Sequence, residues 1–178
     1  MSTTNHLGNL GEDVVSLLFR RRIDKVYRFS VTFLGEKAQL LDFMVNLLDD
    51  NGSEYGPFFF LQVKTTATIG APGAGIPATF TAEEVRNARA RKVPVYLVAV
   101  ESGDDDAERI FAIAIDETLK GGVAVVPPIF SLADKATRMR IYDEVHAYFL
   151  SEAKIFQSHL TRQAYASQKG REGNDEQS

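Results

Sequence analysis

The sequence predicts an α/β domain built on a mixed sheet of about five strands flanked by helices. Three observations point to it. Segments of helical period lie near both ends of the chain. Between them run strand-length stretches rich in β-formers: 27–33, 40–48, 58–64, 95–100 and 109–115. A capping box, Thr81-Ala82-Glu83-Glu84, then places a helix between the third and fourth stretches. Helix, three strands, helix, two strands is an α/β order. One domain over 1–167 is expected, its core about 7–116 and C-terminal helices about 131–166. The polar 168–178 segment is expected to be a disordered tail.

Residues 1–7 read as a loose start. The first helix is expected over about 9–22, with Leu10, Val14, Leu17, Leu18 and Arg21 on one side. Glu12 and Asp13 would then lie in its first turn, where the helix dipole favours anions, and Arg20–Arg22 at its negative end. Tyr27–Phe33 alternates as a first strand. The Asp42 strand and the strand ending Gln62-Val63-Lys64 follow as a meander, joined through Asp49-Asp50-Asn51-Gly52-Ser53. The Gly- and Pro-rich stretch 65–77 holds no regular element and no P-loop spacing. It reads as a connector, or as a flap beside the preceding strand end. The capped helix runs to about Arg91. Val95–Val100 is apolar throughout, as in a strand buried on both faces. Residues 121–128 read as a connector. Beyond Leu132 the apolar stripe of Ile141, Val145, Tyr148, Phe149, Ile155, Phe156 and Leu160 is helical, and serves either packing on the sheet or a homodimer interface.

The chain has no cysteine, which removes thiol nucleophiles, thiolate metal sites and disulfides. The absence of a membrane-length apolar run and of a signal-peptide pattern points to a cytoplasmic address. Net charge is −4, against a protein that coats nucleic acid electrostatically. The acidity is uneven, however: residues 1–100 carry a net +1 and 101–178 a net −5. His6, His146 and His159 have no ligand spacing and read as surface residues. Asp104–Asp106 lacks the spacing of a calcium loop.

The stretch that asks for explanation is Leu40–Thr66. Strand alternation puts Gln62 and Lys64 on one face with Phe58 and Phe60, and Val63 on the other. Lys64 is either the wet end of an apolar strand or a cation held beside Asp42. A carboxylate and an amide oxygen are hard donors that suit Mg²⁺. An adjacent ammonium stabilises charge developing on a phosphate.

Asp42 on one strand followed by Gln62-Val63-Lys64 on the next resembles the PD-(D/E)xK nuclease superfamily, with its restriction-endonuclease-like core. The order Gly8-Asn9-Leu10-Gly11-Glu12, Asp42, Gln62-Val63-Lys64 is similar to the domain-of-unknown-function family numbered 4365, over roughly residues 7–100. The resemblance implies a metal-dependent endonuclease using Mg²⁺ or Mn²⁺. Asp42, the Gln62 side-chain oxygen and the Val63 carbonyl would be metal ligands. Glu12 would complete that shell or orient a water, and Lys64 would position the attacking water or steady the phosphate. The chain departs in having Leu-Leu-Asp-Phe rather than Pro-Asp, and a neutral Gln62 where the commonest pattern has an acid.

Arg86, Arg89, Arg91 and Lys92 follow this region, either as a solvated helix face or as contacts to nucleic-acid phosphates. The expected partner is nucleic acid, DNA in the first instance, in phage defence or DNA processing, with a partner protein supplying specificity. The alternative is a non-catalytic module of the same fold that binds nucleic acid or a partner protein. A plain structural α/β domain is the third reading.

Overall fold

A computed structural model describes residues 3–35, 40–103 and 108–151, with side chains from Gly8 onward. The tail 168–178, the stripe residues Ile155, Phe156 and Leu160, and the acidic turn Asp104–Asp106 lie outside the described residues. A five-stranded sheet has the order β1 (Phe29–Phe33), β2 (Phe43–Leu48), β3 (Glu54–Thr66), β5 (Val95–Glu101), β6 (Arg109–Ala114). Only β3 and β5 pair in parallel. That pairing requires a crossover. It is made by β4 (Ile76–Phe80) and α2 (Ala82–Ala90).

The sheet separates two apolar layers. On one face α1 (Thr3–Arg20) and α3 (Lys135–Ser151) contribute Val15, Leu18, Phe19, Ile141 and Val145 against Val45, Phe59, Leu61, Val63 and Val98. On the other, α2 contributes Val85 and Ala88, and a small second sheet of β4 with β7 (Val123–Val126) contributes Ile76, Phe80 and Val126. Thus Ile141 and Val145 of the C-terminal stripe are spent on the sheet. His146, on α3, lies 2.8 Å through Nδ1 from the Tyr55 hydroxyl and stacks on Tyr142, a link between helix and hairpin.

The β2–β3 hairpin forms where the turn residues predict it. Asp49 Oδ1 accepts the N–H groups of Asn51 and Ser53 at 2.9 and 2.8 Å, and Gly52 takes a positive φ. The capping box is complete as well. Thr81 Oγ1 accepts the Glu84 N–H at 3.2 Å, while Glu84 Oε2 accepts the Thr81 N–H at 2.5 Å.

Three expectations are corrected. The first helix starts at Thr3, not near Asn9, so Glu12 lies in mid-helix and the helix dipole does not explain it. Its buried stripe is Gly11, Val15, Leu18 and Phe19, while Leu10 and Leu17 are exposed. A close contact at Gly11 turns the helix this way (below). The connector residues Ile76–Pro77 and Val123–Val126 are strands, paired to each other across a long sequence separation that local pattern does not report.

The Gly- and Pro-rich stretch after β3 is tied down from beneath. Glu101, only 2% exposed, accepts the Gly70 N–H through Oε2 at 2.9 Å and pairs through Oε1 with Arg109 Nη1 at 3.0 Å. Arg109 also donates to the Ala74 carbonyl. This favours the connector reading. Glu101→Ala leaves Arg109 without its acid and Gly70 N–H without its acceptor. The expected cost is about 2–4 kcal/mol, read as a lower denaturation midpoint. An unchanged midpoint would show that the clamp contributes nothing.

Candidate active site

Asp42, Gln62, Val63 and Lys64 meet toward the carboxyl ends of β3 and β5, where open α/β sheets commonly bind ligands, whereas Arg89 and Lys92 lie at the start of β5. Leu40 takes a left-handed φ of 67° and turns the chain into β2. Such a conformation is costly for a leucine and persists only where its surroundings impose it. Immediately after it, the Asp42 N–H donates to the Leu61 carbonyl at 2.9 Å, which sets Asp42 beside Gln62. Asp42 Oδ2 then accepts two hydrogen bonds, from the Val63 N–H at 2.5 Å and from Gln62 Nε2 at 2.8 Å.

The Gln62 amide bridges two acceptors. Its Nε2 donates both to Asp42 Oδ2 and, at 3.3 Å, to the Val63 carbonyl. Its Oε1 is buried and has no hydrogen-bond partner among the described residues. A buried acceptor left unsatisfied costs about 1–3 kcal/mol. The NH₂ group thus stands between a carboxylate and a carbonyl oxygen, where a cation would find the same two donors. Rotation about the last side-chain torsion, which is broad in glutamine, turns Oε1 toward that point in exchange for the two hydrogen bonds that Nε2 makes there. The residues present therefore fit a hard divalent cation: one carboxylate, one amide oxygen and one backbone carbonyl, with Glu12 beside them. Among the described residues, no group of three or more His, Cys, Asp or Glu forms a metal cage. The donor set here instead draws on an amide and the backbone.

Glu12 reaches the site because α1 lies close to β3. A Cβ at Gly11 would fall 2.0 Å from Thr65 Oγ1 and 3.1 Å from its Cβ, so only glycine admits this approach. Gly8 has open space around it. The two substitutions therefore separate. Gly8→Ala is expected to stabilise the helix by up to about 1 kcal/mol. Gly11→Ala gains the same propensity but must push α1 off β3, a cost of about 1–3 kcal/mol, and moves Glu12 with it. Paired thermal midpoints of opposite sign check this; equal shifts would remove the close contact from the account.

Burial pushes the Glu12 carboxyl above its ordinary range, and the Asp42 and Asp13 carboxylates push it further. Burial likewise raises Asp42, opposed by the Val63 N–H, the Lys64 ammonium and the Gln62 amide. Both acids are thus held above their ordinary values, chiefly by burial, and the Asp42 charge adds to the rise at Glu12.

Lys64 projects from the same face as Gln62 and is a third exposed. Its ammonium lies 3.8 Å from Glu84 Oε1. Glu84 was legible only as a capping residue. Of the basic cluster, Arg86 is exposed on α2. Arg89 is committed to Glu117. Arg91 caps the helix C-terminus, and Lys92 follows with a left-handed φ of 53° and its carbonyl accepting the Tyr148 hydroxyl at 2.6 Å.

Large grooves of the molecule lie elsewhere; one of about 560 Å³ is lined by Arg20, Phe29 and Leu48. Two adjoining ones, about 530 and 490 Å³, share Tyr96, Ala114, Asp116 and Glu144 near the start of β5. Tyr96 and Glu144 already satisfy each other there at 3.0 Å. The unsatisfied oxygen and the raised acids are at the other end of the strand, and they carry the chemical argument. Comparison of the chain with protein-family models, curated protein sequences and solved structures finds no match.

Proposed function

We propose that this protein is a metal-dependent nuclease of the PD-(D/E)xK type, hydrolysing phosphodiester bonds of nucleic acid. The observation that supports it best is the Gln62 amide, whose Nε2 lies between Asp42 Oδ2 and the Val63 carbonyl while its Oε1 is buried with no partner among the described residues. Asp42, the Gln62 side-chain oxygen and the Val63 carbonyl would hold Mg²⁺ or Mn²⁺, and Glu12 would complete that shell or orient a water. The bound cation supplies Lewis acidity toward the phosphoryl oxygen and lowers the pKa of water. Lys64 places a positive charge where the phosphate gains negative charge. Arg86, exposed on α2, is the member of the basic cluster left to offer a phosphate contact; Arg89 serves its pair with Glu117, and Lys92 lies toward the start of β5.

DNA is the expected substrate, in phage defence or DNA processing, with a partner protein or a homodimer through the C-terminal helical region supplying target choice. The second reading, a non-catalytic module, is favoured by one observation: Gln62 is neutral, so fewer carboxylates attract the cation. Supercoiled plasmid and single-stranded DNA, incubated with Mg²⁺ or Mn²⁺, separate the two readings. Metal-dependent nicking supports the nuclease. No cleavage of either substrate, together with no metal-induced thermal shift, favours the binding module.

A further inference from the structure

We propose that Glu84 is the positioning residue of Lys64, an inference that rests on the nuclease reading. A capping-box glutamate ordinarily needs only to reach back to the first N–H of its helix. Here that task occupies one oxygen: Oε2 accepts the Thr81 N–H at 2.5 Å. The other, Oε1, faces the Lys64 ammonium at 3.8 Å, with the lysine side chain 34% and the glutamate 20% exposed. The carboxylate is therefore anchored to backbone before it meets the lysine.

That anchoring matters because of what lies on the other side. Lysine is a flexible point charge with considerable rotamer freedom. Asp42 is a second carboxylate that feels Lys64. Without Glu84, the ammonium is drawn onto Asp42. There it competes with the cation for the carboxylate and leaves the place where phosphate charge develops. Glu84 holds Lys64 between two acids, near Asp42 but not collapsed on it. The β4–α2 junction thus couples a helix cap to the catalytic ammonium.

Glu84→Gln tests this, because glutamine also closes a capping box while removing the charge. Its kcat on plasmid DNA is expected to fall about tenfold with KM little changed, a coupling within the usual range for contacting residues. Half-maximal thermal stabilisation should need several-fold more Mg²⁺, a readout independent of turnover. Thr81→Ala, which breaks the other half of the box, should lower the thermal midpoint but leave kcat unchanged. Lys64→Ala combined with Glu84→Gln should be no slower than Lys64→Ala alone. Unchanged kcat in Glu84→Gln, equal kcat losses in Glu84→Gln and Thr81→Ala, or additive losses in the double variant would each overturn the assignment. Full activity in Lys64→Ala alone would instead remove the nuclease reading on which it rests.

Discussion

Asp42→Ala and Lys64→Ala are each expected to reduce metal-dependent DNA cleavage by on the order of 10²–10³-fold or more, with folding retained. The two losses should differ in kind. Asp42 supplies the only carboxylate that touches both the Val63 N–H and the Gln62 amide among the described residues. Its removal should abolish the Mg²⁺- or Mn²⁺-induced thermal shift along with cleavage. The apo protein should lose about 1–3 kcal/mol, because the Val63 N–H and the Gln62 amide are left without their acceptor, offset in part by relief of the buried Asp42 charge. Lys64→Ala should keep a metal-induced shift, since the ammonium is not a ligand, and lose cleavage alone. Plasmid nicking and thermal denaturation on the same samples check both. Full cleavage in either variant would remove the catalytic assignment.

Gln62→Glu has the second largest expected effect, and its sign depends on metal and pH. The substitution puts a second carboxylate where an amide nitrogen now lies 2.8 Å from Asp42 Oδ2. Two unit charges at that separation repel by about 6 kcal/mol at an effective dielectric constant near 20. The pair escapes most of this by sharing a proton. A cost of about 2–3 kcal/mol remains at neutral pH, lowering the apo midpoint by roughly 4–12 °C.

The wild-type protein shows the same dependence in weaker form. A carboxyl whose folded-state pKa lies above its unfolded value contributes stability below the unfolded value. That contribution is lost as pH rises through the folded one. Asp42 and Glu12 are both raised. Apo stability should therefore fall as pH rises from the ordinary carboxylate range into weakly acid and neutral solution. Gln62→Glu should steepen the fall, and Mg²⁺ should reverse it by favouring the ionised forms. Denaturation midpoints at several pH values, with and without Mg²⁺, check this. A variant whose metal-induced shift is no larger than that of the wild type would show that position 62 does not face a cation.

The pairing of Asp42 with Gln62 and Lys64 was legible because it is local. A tight hairpin fixes its own register, and two-residue alternation fixes which side chains share a face. Glu12 was legible from its place after Gly11, but for the wrong competing reason: it is not in a first helical turn. The buried face of α1 was misread by about one residue, because the stripe centres on a glycine, which has no hydropathy to contribute. Glu101, Arg109 and the β4–β7 pair carried no local signal. Each works through a partner from another segment: Gly70 and Ala74 for the clamp, and a strand more than forty residues distant for β4.

The sequence by itself determined the α/β class, the hairpin with its Asp49 turn, the helix cap at Thr81, and the row of polar groups that ends β3. Period, turn chemistry and capping act over a few residues, and one chain displays them. The tertiary structure alone decided how close α1 comes to β3, that Gln62 Oε1 is buried without a partner among the described residues, and that a capping glutamate faces the lysine. These depend on contacts between segments far apart in sequence, which the fold creates by bringing α1, the hairpin and the β4–α2 junction to one end of the sheet.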